Sequence, residues 1–136
     1  MIAIVDTGPL YATVDDDDDD HVRSLEVFKR PDLDFVIPAF VAAEVAYLVG
    51  ERLGPLIQAR FIGTLAAYEV EAPSTAEWET IAQLIERYAD FPLGAVDASV
   101  AVLANRLKTD LIVTLDQRHF RALRTPSGGS YSLLPE

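Results

Sequence analysis

The sequence predicts an α/β protein of three layers, a parallel sheet covered on both faces by helices. Three observations carry this prediction. The runs Ile2-Ala3-Ile4-Val5, Phe35-Val36-Ile37 and Leu111-Ile112-Val113-Thr114-Leu115 are short, β-branched and almost wholly apolar. They lack the polar alternation of a sheet that faces water, so they read as strands buried on both sides. Between them lie longer segments with apolar residues at helical spacing, the alternation that builds βαβ units. Finally, the chain has 136 residues, half of them hydrophobic, with a mean hydropathy of +0.17. A chain of that size buries about two thirds of its unfolded surface in one core, so residues 1–136 are expected to form a single domain.

The elements follow in order. The first strand runs into Asp6-Thr7-Gly8-Pro9, a turn signal. After Asp15 to Asp20, the segment His21 to Arg30 places Val22, Leu25 and Phe28 on one helical face. Asp20 suits its N-cap, Lys29-Arg30 suit its C-terminal dipole, and Pro31 stops it. Pro38 follows the second strand and is suited to open a helix through Arg52 that Gly54-Pro55 ends. Leu56 to Ala67 reads as helix and Tyr68 to Glu71 as strand. Ser74-Thr75-Ala76-Glu77 is a capping box for a helix with Trp78, Ile81, Leu84, Ile85 and Tyr88 on its packed face. Val96 to Leu107 is a further helix, Leu111 to Leu115 the fourth strand, and Tyr131 to Leu134 a last strand beyond a basic segment and a Ser/Gly loop. No internal repeat is present, and the aspartate block is the one low-complexity segment.

Composition narrows the chemistry. The absence of cysteine removes disulfides, thiolate zinc sites and cysteine nucleophiles, and suits a reducing cytoplasm. The N-terminus lacks the basic region of a signal peptide and no apolar run is long enough to span a bilayer, so a cytoplasmic protein without membrane contact is expected. Eleven basic against 22 acidic residues give a net charge of −11, which alone argues against nucleic acid. Asp15 to Asp20 supply six of those acids, and cations held by four others would reverse the local field.

Four acids stand apart from solvated surface charge. Asp6 ends the first strand and Asp116 the fourth, and the crevice outside the carboxyl ends of strands is where open α/β sheets bind ligands. Glu44 shares a helical stripe with Val41, Val45 and Leu48, and Asp97 opens a helix whose start faces the same rim. Each has an ordinary alternative: an N-cap for Asp97, turn bonds for Asp6 and Asp116, a solvated position for Glu44. Convergence of all four favours a site. Carboxylates without paired histidine or cysteine point to hard cations, Mg²⁺ or Mn²⁺, and such a cluster suits phosphodiester hydrolysis. Glycoside hydrolysis would need a sugar cleft lined by aromatics, and the aromatics here fall on core-like stripes.

Val5-Asp6-Thr7-Gly8-Pro9-Leu10, Ile37-Pro38-Ala39 with Glu44-Val45, Pro92-Leu93-Gly94 with Val96-Asp97-Ala98-Ser99, and Ile112-Val113-Thr114-Leu115-Asp116 with His119-Phe120 together resemble the PIN-domain ribonucleases, specifically the VapC-type toxins of bacterial toxin-antitoxin pairs. The match runs nearly end to end, in order. The resemblance implies a sheet of about five parallel strands in the order 3-2-1-4-5. It implies Asp6, Glu44, Asp97 and Asp116 as the catalytic quartet binding one or two Mg²⁺ or Mn²⁺, with Thr7 and Thr114 supporting them. It also implies RNA as substrate, products with 5′-phosphate and 3′-hydroxyl ends, a homodimer, and an inhibitory antitoxin whose C-terminal segment lies in a groove of the first helices. Arg118, His119, Arg121 and Arg124 form the basic cluster beside Asp116; Arg118 and His119 are the substrate-binding candidates, a packed or capping histidine being the plainer reading of His119.

The aspartate block reads as a solvated loop. Asp15, Asp17, Asp19 and Glu26 match a calcium loop at its first, third, fifth and twelfth positions, but Asp20 stands where that loop requires glycine. Two other functions compete. A receiver-like signalling module would need a phosphoacceptor aspartate after the third strand and a lysine after a late one, yet Tyr68 to Glu71 runs into Ala72-Pro73 and Lys108 precedes its strand. A catalytically weak domain of the same fold that only binds RNA or a protein would keep the acids without cutting.

Overall fold

Strand β1, Ile2–Val5, is the centre of the molecule: Ala3, Ile4 and Val5 are fully buried, as their β-branched and small side chains require. The computed structural model describes residues 1–136. β1 is followed by α1 (Thr7–Val14), α2 (His21–Phe28), β2 (Asp34–Pro38), α3 (Ala39–Leu53) and α4 (Pro55–Thr64). A 3-10 turn at Leu65–Ala67 leads to β3 (Glu69–Glu71), α5 (Glu77–Arg87), α6 (Ala95–Arg106), β4 (Leu111–Val113), α7 (Gln117–Ala122) and β5 (Ser132–Leu134). All four strand pairings are parallel and the sheet order is β3-β2-β1-β4-β5, as the resemblance implies. A receiver-type sheet has its second strand at the edge and its first beside its third, so this topology excludes that alternative.

The chain builds outward from β1 through β2 to β3 and then crosses to the other side with β4. Between β1 and β4 the winding reverses and their carboxyl ends part, which opens a crevice there. The two faces of the sheet carry separate cores. Ile4, Val36 and Ile112 pack with Val41, Val45 and Val49 of α3 and with α6, while Ala3, Leu111, Val113 and Leu134 pack with Val27 of α2 and Leu33. That is the three-layer arrangement.

Several local expectations change. Thr7 to Pro9 begin helix α1 directly instead of forming a turn; Pro9 is harmless in a first helical turn, where its amide hydrogen would have no helical partner. The basic segment after Asp116 is helix α7, pinned by the fully buried Phe120. β4 stops at Val113 because Thr114 turns its hydroxyl to the Asp116 amide at 3.1 Å. Tyr131 precedes β5, which begins at Ser132. Asp20 occupies the N-cap position of α2 but makes no capping bond, its carboxylate taking Arg23 Nε at 2.7 Å. Half of the capping box forms, the Ser74 amide donating to Glu77 Oε1 at 2.8 Å. Trp78 is half-exposed over Phe40, and Ile81 supplies the buried contact of α5. No helix is long and apolar enough to cross a membrane.

Candidate active site and metal centre

Each of the four singled-out acids is delivered by a different element to the carboxyl edge of the sheet. Asp6 follows β1, Glu44 lies in the second turn of α3, Asp97 is the third residue of α6, and Asp116 precedes α7. Together with Thr7, Gly8 and Gly94 to Val96 they line one open cleft of about 480 Å³. Gly94 holds the N-cap position of α6, which removes the plain capping role for Asp97. Gly8 lets the wall close up: a Cβ there would stand 3.2 Å from Cβ of Leu115.

Asp6 is the deepest of the set, only 5% exposed. Burial pushes its pKa up from 3.8 to about 6, against the lowering pull of the Thr114 hydroxyl and the Thr7 amide; Asp97 and Asp116 push it up further. The fully buried Thr114 donates from Oγ1 to Asp6 Oδ2 at 2.7 Å and accepts the Asp116 amide at 3.1 Å. One hydroxyl therefore ties the acid after β1 to the acid after β4. Thr7 meets Asp6 through its amide, and its own buried hydroxyl has no partner. Burial also raises the pKa of Asp97, opposed by His119 and reinforced by Asp116 and Glu44.

His119 Nδ1 stands 3.0 Å from Asp97 Oδ2 and 2.6 Å from Asp116 Oδ2, and Phe91 packs edge-on against its ring at 5.2 Å between centroids. Arg118 is exposed and lays its guanidinium over the same Phe91 ring, 5.2 Å from its centroid. Arg121 and Arg124 leave the basic cluster: the first donates to Gln117 and the second to the carbonyls of Arg121 and Leu123, finishing α7. Phe91 is the functional neighbour that sequence reasoning missed; an aromatic in the Phe91-Pro92-Leu93-Gly94 loop just ahead of Asp97 was the available signal.

The aspartate block closes on itself. Asp15 accepts the Tyr11 hydroxyl at 2.6 Å and the Asp17 amide, Asp18 accepts the Asp20 amide, and Asp16 faces His21 Nε2 at 3.5 Å.

The donor set fits a hard divalent cation. No lysine or arginine lines the cleft: His119 stands against Asp97 and Asp116, while Glu44 and the buried Asp6 have no ion-pair partner. Buried carboxylates without compensation are costly, and oxygen donors in this number are what such ions take. Asp97, Asp116 and His119 offer ligand atoms that all lie within 4.8 Å of one another.

Comparison with known proteins agrees with this geometry. A family model described as "PIN domain" matches residues 3–125. Ribonuclease VapC26 of Mycobacterium tuberculosis is 37% identical over 134 residues, spanning 97% of this chain and 99% of that protein. Among solved structures, M. tuberculosis VapC20, described as a sarcin-ricin loop cleaving toxin, superposes with a TM-score of 0.74 at 17% identity over 82% of this chain and 87% of that one. VapBC2 of Rickettsia felis, bound to a DNA fragment from its promoter, superposes with a TM-score of 0.69 at 19% identity over 98% of both chains. These last two likenesses bear on the fold, and the first two on kinship: the chain belongs to the PIN-domain family, among its VapC members.

Proposed function

We propose that this protein is a divalent-metal-dependent endoribonuclease, the toxin of a toxin-antitoxin pair, with residues 1–136 as one PIN domain. The observation that carries the reading is the meeting of Asp6, Glu44, Asp97 and Asp116 in one cleft, in a chain whose 37%-identical relative bears the name ribonuclease. Asp6 and Asp97 would be the central ligands of Mg²⁺ or Mn²⁺, with Glu44 and Asp116 completing the hold on cation or water. A cation bound there supplies Lewis acidity, lowering the pKa of water and neutralising charge on the phosphate.

The chain's own residues do the rest. Thr114 fixes the carboxylate of Asp6 and, through the Asp116 amide, the spacing between two of the acids. Arg118, resting on Phe91, meets a phosphate of the RNA. His119 turns Nδ1 to the carboxylates and leaves Nε2 for a phosphate oxygen. Hydrolysis adds water to phosphorus, breaks the bond to the 3′ oxygen, and leaves 5′-phosphate and 3′-hydroxyl ends.

The groove between α1, α2 and α4, about 430 Å³ and lined by Leu10, Val14, Leu25, Phe28, Ile57 and Phe61, offers an apolar seat for a segment of the cognate antitoxin. The working form is a homodimer.

The test is incubation of the purified protein, free of antitoxin, with total RNA in the presence and absence of Mg²⁺ or Mn²⁺, beside Asp6→Asn, with fragment ends mapped. Discrete metal-dependent fragments that disappear in the variant are expected. A folded protein that cuts nothing with either ion is instead a binding module.

A further inference from the structure

His119 presents a geometry that the acid quartet alone does not explain. Nδ1 lies close to one oxygen of Asp97 and one of Asp116, at 3.0 and 2.6 Å, yet it has no hydrogen-bond partner. At such distances the missing element is direction: neither oxygen lies on the axis along which Nδ1 carries its hydrogen or lone pair. Two acceptors set to either side of that axis are arranged like neighbouring ligands around a shared ion, whereas a hydrogen-bond acceptor sits on the axis. The ring is also held. Phe91 packs edge-on against it, and the next residue, Phe120, is fully buried and anchors α7. A cation placed among these atoms, which lie within 4.8 Å of one another, would satisfy all three at once, as the off-axis imidazole contact does not.

We infer that His119 is a nitrogen ligand of the cation held by Asp97 and Asp116, and that it biases this site toward Mn²⁺ over Mg²⁺. The inference rests on the metal-dependent reading above and deepens it. Mg²⁺ is hard, keeps much of its water and is bound through one or two carboxylates. First-row transition ions accept imidazole readily, and a single nitrogen among oxygen donors favours them. With Nδ1 on the cation, the remaining ring nitrogen carries the hydrogen and becomes a donor toward substrate.

The experiment reads binding and not turnover. Mn²⁺ is added to the wild-type protein and to His119→Ala and His119→Gln, with affinity followed by calorimetry, nitrogen coupling to Mn²⁺ by pulsed electron paramagnetic resonance, and Mg²⁺ affinity by competition. The expected result is imidazole nitrogen coupling in the wild type, lost in both variants, with Mn²⁺ affinity reduced roughly tenfold or more and Mg²⁺ affinity changed much less. The chain has only one other histidine, His21, whose Nδ1 is engaged by the Ala12 carbonyl at 2.6 Å but whose Nε2 stands 3.5 Å from Asp16, so His21→Gln is measured beside the others and should keep the coupling. If a His119 variant fails to fold, the spectrum of His21→Gln decides the matter, because nitrogen coupling that persists there comes from the one remaining histidine. Mn²⁺ bound without nitrogen coupling, and equally or more tightly in His119→Ala, overturns the inference and leaves the metal reading standing, with His119 a counter-charge that cations displace. Failure of wild-type protein to bind either ion overturns both.

Discussion

Asp6 is a carboxylate held where water hardly reaches, with three other acids opening on the same cleft. Its folded pKa of about 6 lies above the ordinary 3.8, so the folded state binds the proton more tightly than the unfolded one. The stability this contributes is present below the unfolded value and is lost as pH rises through the folded one. Without a cation, the protein should therefore lose roughly 3 kcal/mol between about pH 4 and pH 6 from this group, visible in melting curves taken in chelator. Asp6→Asn removes the charge and should melt several degrees higher than wild type at pH 7.5 in chelator while losing cleavage. Added Mn²⁺ should stabilise the wild type and close that gap, because it binds the folded state only. Thr114 gives a second prediction. Thr114→Val removes a buried donor and acceptor at constant shape and leaves Asp6 and the Asp116 amide unpaired, costing about 1 to 3 kcal/mol. Thr114→Ser keeps the hydroxyl and should retain most of the cleavage that the valine variant loses, as a fluorescent RNA assay would register.

Helix α7 has six residues, too few to stand in water without tertiary support. Its support is Phe120, whose truncation to alanine should cost about 3 to 5 kcal/mol in denaturant unfolding. Phe91→Ala should act differently: the loop residue contributes little to the core, but both His119 and Arg118 lean on it. Cleavage and Mn²⁺ affinity should fall in that variant with the melting temperature nearly unchanged. The same two elements show where sequence reading stops. Central strands and long helices announce themselves through unbroken apolar runs and helical stripes, and the strand ends in turn located Asp6 and Asp116. Helix α1 was hidden because Gly8-Pro9 reads as a turn unless the first-turn exemption for proline is applied. Helix α7 was hidden because one buried phenylalanine is too little pattern to see. That His119 lies between Asp97 and Asp116 depends on how α6 and α7 meet across the sheet edge, a relation between distant segments that no local pattern encodes.

Across the whole molecule, the net charge of −11 opposes a polyanionic substrate, and Asp15 to Asp20 concentrate that opposition. The block begins where α1 ends, one eight-residue helix away from Asp6, or about 12 Å along its axis. That is near the screening length at physiological salt. Replacing Asp17 and Asp19 with asparagine, while leaving Asp15, Asp16, Asp18 and Asp20 with their partners, should therefore raise RNA association severalfold at low salt. The gain should fade above a few hundred millimolar, and stopped-flow binding at varied ionic strength would follow it. A gain independent of salt would mean that the block acts through structure and not through its field.

The bond between Thr114 and Asp6 joins residues 108 positions apart. It exists only once β4 has paired with β1, and β4 follows β1 after more than a hundred intervening residues. A growing chain on the ribosome thus carries Asp6 long before Asp116 has emerged and has no assembled cleft until then. Chains cut short ahead of β4 lack an assembled cleft by the same geometry, so the four acids act together only in a chain whose sheet has closed across β1 and β4.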